Sequence, residues 1–323
     1  MSLKFDDLIG HDVAPPDTAP YPVSEAMVLH WCEALDDDPA RYADAQGRYV
    51  PPTMLHIFNM PRAAMLRPMP ASAVMNRLDA AGFASPMATN YEQEYLRPIR
   101  VGDTITQRCL IEAVSDEKTT PMGNGHFVSI RFIFSNQHGV EVGRQLMRVF
   151  KYRAAASTSA MAMDAPTPAW TADSYPAPAV VAQRDLARAV AVGDALPPLV
   201  VELTPSRIVL GAIASNDPMP VHHDLGTARA GGVPNIFMNI LTQTGWVGRY
   251  VQQWAGPGAK IERIAVRLGV PNIAHDTMAL TAAVTAVDGA RLTLDVRSRN
   301  RLGEPVRAAV TLQLGEAGFM PPG

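Results

Sequence analysis

The sequence predicts an α+β protein made of two copies of one unit, each a curved antiparallel sheet wrapped around a central helix. Three observations lead to this. A long uncharged, helix-periodic stretch in the second half is too apolar to lie on a surface, four extended runs follow it, and the first half repeats the same order of elements with matching motifs. The length of 323 residues fits two domains at roughly 150 residues each.

In the first half, Ser24 is an N-cap for a helix with Met27, Val28, Trp31 and Leu35 on one face, ending at Asp36. Pro51-Pro52 then opens a short apolar helix, expected at the centre of the first unit. It meets Pro61 after about two and a half turns, with Pro68 and Pro70 beyond. An interior proline costs about 3 kcal/mol, so this helix is expected to end or kink early. The runs Ala88 to Tyr95, Thr104 to Val114, His126 to Ser135 and Val142 to Arg153 read as strands. Residues 154–183, rich in Ala, Ser, Thr and Pro with hardly any charge, read as a linker between domains at 1–153 and 184–323.

In the second half, Thr204-Pro205 caps a helix with Ile208, Val209, Ala212 and Ile213, ending at Asp217. From Ala230 to Gly248, nineteen residues carry no formal charge, which approaches membrane-spanning length. Asn235, Asn239, Thr242, Gln243 and Thr244 recur through the stretch, with Pro234 and Gly245 inside it, and hydrocarbon would leave those amides unpaired. The reading is instead a buried helix that begins at Pro234 and carries Ile236, Phe237, Ile240, Leu241, Val247, Val251 and Trp254 at helical spacing. Strands follow at Ile261 to Gly269, Thr277 to Val287, Arg291 to Arg299 and Val306 to Leu314, punctuated by Asn272, Asp288-Gly289 and Leu302-Gly303. The copies align residue by residue: Asp36 and Asp217 stand 181 residues apart, as do Pro39 and Pro220, while Asn136 to Gly139 matches Asn300 to Gly303 at 164.

Composition excludes several classes. Lys and Arg total 28 against 31 Asp and Glu, a net charge of −3, which excludes the basic footprint of a nucleic-acid binder. Cys32 and Cys109, the two cysteines, are too few for a disulfide framework or a thiolate zinc site and fit a reducing compartment. The opening MSLKFDDLIG has charges where a signal peptide needs an apolar core, so a soluble, cytoplasmic protein with no membrane partner is expected.

The chemistry lies in the second copy. Asp217-Pro218-Met219-Pro220-Val221-His222 places a carboxylate and an imidazole five residues apart across a proline-stiffened turn. The first copy has Arg41 at the His222 position, leaving Asp36 without an imidazole partner. An Asp and a neutral His aimed at one point can hold a water, one group removing its proton and the other returning one, as addition of water to a double bond requires. Gly231-Gly232, ahead of the buried helix, offers backbone N–H groups for a developing enolate oxygen. Asn235, Asn239 and Gln243 either line a substrate pocket or satisfy the surrounding strands. His223 diverges from His222 in extended chain and reads as structural, Asp224 as a cap or orienting partner, and Asp36-Asp37-Asp38 as a solvated turn; no metal site is expected.

The run Ala214 to Asp224, ASNDPMPVHHD, resembles the signature of MaoC-like R-specific enoyl-CoA hydratases, in which Asp-x-Asn-Pro-aliphatic-His precedes the central helix of a hotdog fold. The first half resembles the degenerate N-terminal MaoC-like domain at YVPPTML (49–55), NYEQEYLRPIRVGD (90–103) and GNGHFVSI (123–130). The motif matches at Asp217, Pro220, Val221 and His222. It departs at Asn216, where Gly is usual, and at Met219, where the family has Asn; the latter bears on support of the turn rather than on proton chemistry.

The resemblance implies a double hotdog, an intrachain pseudodimer with Asp217 and His222 as the catalytic pair and an amide near Gly232 as oxyanion donor. The implied activity is reversible hydration of a trans-2-enoyl-CoA with R stereochemistry, requiring no cofactor or metal. The early end expected for the first copy's central helix leaves room, so that copy is expected to wall a tunnel for a bulky acyl group. A hotdog thioesterase and a non-catalytic acyl-CoA-binding subunit stay open as alternatives, as does pairing of two chains.

Overall fold

The computed structural model describes residues 3–60, 72–120, 122–154 and 179–315. The first unit comprises strand β1 (Asp17–Thr18), helix α1 (Glu25–Ala34), a hairpin of β2 (Ala43–Asp44) and β3 (Gly47–Arg48), helix α2 (Ser72–Ala80), and strands β4 (Ser85–Tyr95), β5 (Thr106–Val114), β6 (Lys118–Thr120), β7 (Gly123–Ser135) and β8 (Glu141–Ala154). The second comprises β9 (Ala195–Leu203), α3 (Pro205–Ala214), α4 (Leu225–Ala230), α5 (Ile240–Ala255), β10 (Lys260–Leu268), β11 (Asp276–Asp288), β12 (Arg291–Arg299) and β13 (Val306–Gln313).

The repeat is visible in the strand order, β1-β5-β7-β8-β4 followed by β10-β13-β12-β11-β9, so the second unit retraces the first in reverse. The two curved sheets join edge to edge. At the seam β4 pairs with β10 antiparallel, Glu94 opposite Arg263 and Asn90 opposite Arg267, and Glu92 forms an ion pair with Arg263 at 2.7 Å. Pairing the two inner edges covers backbone groups that each half-sheet alone would leave open. The buried apolar side chains of both units form one continuous cluster.

Helix α5 is the centre of that cluster, with Trp246, Val247, Tyr250 and Val251 fully buried. It lies against both units because two glycines let it. A Cβ on Gly245 would stand 2.7 Å from Leu35 Cδ1 and Trp31 Cζ2, and one on Gly248 would stand 2.7 Å from Thr53 Cγ2. Among the described residues no helix is long and apolar enough to cross a membrane.

Several sequence expectations are corrected. Helix α5 starts at Ile240 rather than at Pro234. The segment before it is extended: Met238 N–H donates to Asn272 O at 2.8 Å and Ala274 N–H to Ile236 O at 2.9 Å, so these amides serve a short pairing and not a helical turn. Asn239 then begins the helix, its side-chain oxygen accepting from Thr242 N–H at 2.8 Å.

The first unit has no α-helix at Pro52. Two 3-10 turns, Pro52–Met54 and Ile57–Asn59, stand there, and Met60 is already extended at φ −63°, ψ 133°. Buried polar residues recur every third position at Thr53, His56 and Asn59, the period of a 3-10 helix. Two of them are tied outward, His56 to Gln145 and Asn59 to the Asp17 and Ile105 carbonyls. Pro61, Pro68 and Pro70 lie outside the described residues, as does most of the stretch read as a linker. Ala179 and Val181, at its end, are packed into the core.

The alignment of the copies shifts by one residue. Helices α1 and α3 end alike, in a left-handed residue that is Asp36 (φ 51°) in one copy and Asn216 (φ 53°) in the other. The next amides, Asp37 and Asp217, donate to Cys32 O at 2.8 Å and Ala212 O at 2.9 Å. The counterpart of Asp217 is therefore Asp37, with one extra residue in the second copy before Pro220.

Candidate active site

The site is built where α3 stops. Asn216 takes the left-handed conformation that Asn tolerates better than most side chains, which lets it stand where glycine is usual. Its Nδ2 donates to Ile57 O of the first unit at 3.0 Å, anchoring the turn across the seam. Asp217 follows, 7% exposed, and the 3-10 turn Pro220–His222 carries the imidazole back toward it. His222 Nε2 stands 3.4 Å from Asp217 Oδ2, and both side chains are buried. The two residues that the sequence singled out as a pair are brought together.

The orientation of the ring follows from its other nitrogen. His222 Nδ1 lies 2.7 Å from Phe237 O, and a carbonyl only accepts, so Nδ1 carries the proton. In the neutral ring Nε2 is then a lone pair facing a carboxylate oxygen. Two acceptors at 3.4 Å do not bond to each other, but a molecule with two O–H bonds can donate to both.

The carboxylate is held by donors. Asn239 Nδ2 donates to Asp217 Oδ2 at 3.0 Å and to Ser215 Oγ at 2.7 Å, and Met219 N–H reaches Oδ1 at 3.3 Å. Burial pushes the Asp217 carboxyl upward; a protonated His222, by its hydrogen bond and charge, together with the Met219 and Asn239 amides, holds it below its ordinary value, whereas beside the neutral ring only the two amides donate to it. The Met219 side chain itself is exposed, so the turn is supported by its backbone and by Asn239.

Of the other sequence-predicted residues, Asn239 belongs to the site as a support: its oxygen caps α5 and its amide is divided between Ser215 and Asp217. Gln243 donates to Met238 O and accepts from Asn272, so it satisfies its surroundings. Asn235 uses its oxygen on the Ile236 amide at 2.8 Å, outside the helix it was expected to line.

Gly232 does not open the central helix. It ends α4, at φ 82°, and its N–H donates to Arg229 O at 2.9 Å, so the amide expected to serve as oxyanion donor is committed. His223 is exposed and faces Pro218 O, and Asp224 caps α4 through Thr227 N–H. Among the described residues no three His, Cys, Asp or Glu side chains gather to hold a metal.

The corresponding place in the first unit is closed by its own residues. Tyr42 Oη donates to Asp37 Oδ2 at 2.6 Å, and Arg41, where the second unit has His222, pairs with Asp37 at 3.7 Å. Asp36 is not a solvated turn residue; it pairs with Arg207 of α3 at 2.7 Å.

Three participants were not identified from the sequence. Ser215 Oγ relays between Asn239 and the end of α3, and Phe237 acts through its carbonyl, which no side-chain pattern reveals. His56, a lone imidazole in the apolar run PPTMLHIF, is coupled electrostatically to Asp217 from the other unit.

Comparison with known proteins bears on the fold and the family. The family model described as FAS1-like, dehydratase domain region, matches residues 7–145. The 3-oxo-4,17-pregnadiene-20-carboxyl-CoA hydratase beta subunit of Mycobacterium tuberculosis is 47% identical over 126 residues, 39% of this chain and 98% of that protein. A probable enoyl-CoA hydratase alpha subunit of Thermomonospora curvata is 31% identical over 158 residues, 45% of this chain and 50% of that protein, so this chain spans about half of the alpha subunit's length. A solved MaoC-like dehydratase shares the fold, with a TM-score of 0.67 and 20% identity over 97% of this chain and 100% of that one. The double hotdog with an Asp and a His converging at the end of α3 thus belongs to the MaoC-like dehydratase family, and the chain is a hydro-lyase.

Proposed function

We propose that this chain hydrates the double bond of a trans-2-enoyl-CoA reversibly to the (R)-3-hydroxyacyl-CoA, with Asp217 and His222 as the catalytic pair. The observation that carries the reading is the convergence of Asp217 Oδ2 and His222 Nε2 at 3.4 Å in a buried site, with the ring's Nδ1 proton held by Phe237 O. A water donating one O–H to each presents its own lone pair outward, toward the β carbon of an enoyl group above it. The Asp217 carboxylate already accepts from Asn239 and the Met219 amide and is intrinsically a weaker base than an imidazole, so the proton passes to His222 Nε2 as the C–O bond forms. The π electrons move toward the thioester oxygen as an enolate. The pair returns the same proton to the α carbon, and both groups end as they began.

The substrate class is supported by the names of the two hydratase subunits to which the chain is similar. R stereochemistry rests on the resemblance of residues 214–224 to R-specific members. A bulky acyl group is favoured because one relative is named for a pregnadiene carboxyl thioester and because short 3-10 turns replace a central helix in the first unit. We take the first unit, about 1–153, as the wall of the acyl site and the second, about 184–323, as the water-adding half. Similarity to both a beta and an alpha subunit favours hydration by this one chain.

The test is a panel of enoyl-CoA thioesters differing in bulk, followed by loss of enoyl absorbance, gain of one water in mass and chiral analysis of the product. Asp217→Asn and His222→Ala should each abolish most turnover without unfolding the chain. Near-normal hydration by both variants overturns the assignment. Release of free CoA thiol overturns it in favour of a thioesterase, and equal efficiency on short acyl groups overturns the bulky-substrate reading.

A further inference from the structure

The reaction proposed above develops negative charge on the thioester oxygen, and the amide expected to receive it, that of Gly232, is engaged within its own helix end. A different donor stands at the seam. His56 lies in the first unit, 7% exposed, between Phe132 and Phe134 at ring-centroid distances of 4.9 and 5.8 Å.

Its place relative to the catalytic pair is given by the bond that ties the units together. Asn216 donates to the carbonyl of Ile57, so His56 and Asp217 each adjoin a partner in that bond.

The proton on His56 can be located by following its network. Tyr95 Oη donates to Gln93 Oε1 at 2.6 Å, and Gln93 Nε2 donates to Tyr91 Oη at 3.2 Å and to Gln145 Oε1 at 2.9 Å. Gln93 and Gln145 are opposite one another on β4 and β8, so strand register fixes this contact. With its oxygen accepting, Gln145 turns its Nε2 toward His56 Nδ1 at 3.0 Å, and Tyr91 Oη lies 3.2 Å from the same nitrogen. Nδ1 therefore accepts, and the ring proton is on Nε2. Burial pushes the imidazole down to about 4 against the opposing pull of Asp217, so the ring is neutral at physiological pH. Among the described residues Nε2–H has no hydrogen-bond partner, although every other polar atom of the network is engaged.

We propose that His56 Nε2–H donates to the thioester carbonyl oxygen of the enoyl substrate and stabilises the enolate, making the first unit a contributor to catalysis. This rests on the hydratase reading of Asp217 and His222. The acceptor is assigned by position: His56 adjoins the Ile57 carbonyl that holds Asn216 beside Asp217, and the oxygen that an enoyl thioester carries next to its reacting carbons is the carbonyl. A neutral imidazole suits the role, since a cation at this point would be drawn to the Asp217 carboxylate instead.

The experiment separates this proposal from the one it rests on. In the Asp217→Asn background, a 3-aryl-acryloyl-CoA is bound and its absorption recorded; a hydrogen bond to the carbonyl polarises the conjugated system and shifts the band to the red. The shift is expected with His56 present, lost in Asp217→Asn/His56→Leu, and partly retained in Asp217→Asn/His56→Gln, which keeps an amide donor. With Asp217 intact, His56→Leu should lower kcat by about a hundredfold to a thousandfold, the usual loss for an oxyanion donor, while the Kd of a saturated acyl-CoA stays within twofold. A red shift unchanged in both His56 variants, or a rise in KM with kcat preserved, overturns the proposal and leaves Asp217 and His222 as assigned. Should the Leu variant not fold, a partial red shift with lowered kcat in His56→Gln counts for the proposal, and a full red shift with wild-type kcat counts against it. Failure of the intact chain to hydrate any enoyl thioester is instead a failure of the underlying reading.

Discussion

Asn239 joins two functions whose loss can be separated by substitution. Its oxygen caps α5 and its amide holds Asp217 Oδ2 at 3.0 Å. Asn239→Ala removes both. The cap contributes about 1 kcal/mol to stability, and a hydrogen bond to a charged group about 1.5–3 kcal/mol. Asn239→Ser restores a good cap but is too short to reach the carboxylate.

In a unit of this size about 1 kcal/mol corresponds to roughly 2–4 °C, so Tm should fall by at least that in the Ala variant and recover partly in the Ser variant. Activity should behave differently. If the amide's hold on Asp217 is realised in the transition state, both variants lose about tenfold to a hundredfold in kcat, at 1.36 kcal/mol per factor of ten. KM should change little, because Asn239 has no side-chain polar atom left for substrate. The acid limb of the pH profile should move upward in both, since a donor that holds the carboxyl down has been removed. Thermal melts and steady-state kinetics across pH measure all four quantities. Full kcat in Asn239→Ser would refute the positioning argument and leave a cap alone; a raised KM with unchanged kcat would return Asn239 to the substrate-binding role first read from the sequence.

His56 is neutral in the fold and pushed down to about 4 from an ordinary 6.5, so its contribution to stability is complete above about 6.5 and is lost as pH falls toward about 4. Urea melts from pH 7 to 4 should show a decline of the order of 3 kcal/mol from this group, absent in His56→Gln. Arg41→His should not create a second active site, because Tyr42 still holds Asp37 at 2.6 Å; Asp217→Asn/Arg41→His should remain inactive in the enoyl absorbance assay. Gly245→Ala places a Cβ 2.7 Å from Leu35 and Trp31 and should cost about 1–3 kcal/mol in denaturant melts, with kcat of the folded fraction retained.

Much of this architecture is written locally. The two helix ends with capping Ser24 and Thr204, the strand runs and the Asp217–His222 spacing are each properties of a few neighbouring residues, and backbone geometry acts over that range. A carboxylate and an imidazole five residues apart across two prolines have few ways not to converge. The alignment of the copies was legible except at one point. A single extra residue before Pro220 is invisible to a constant offset, so Asp36 was matched where the left-handed φ values show that Asp37 belongs.

Other features depend on parts of the chain that meet only after folding. Pro234 reads as the start of the central helix, with Gly231-Gly232 just ahead of it, because periodicity does not reveal that residues 236–238 pair with residues 272–274, nor that α4 intervenes. Asn239 became a support for Asp217 once α5 was placed against the end of α3, and the ring of His222 was oriented by a carbonyl from Phe237. The convergence of Asp217 with His222 and the inequality of the two units, His222 against Arg41, are legible in the sequence alone, because both are set within one turn of chain. Only the tertiary structure decided which groups hold that pair and that Asn216, beside it, is tied to the carbonyl of Ile57 in the first unit, because contacts between units depend on the register of the β4–β10 seam and the close approach of α5, and neither has a local signature.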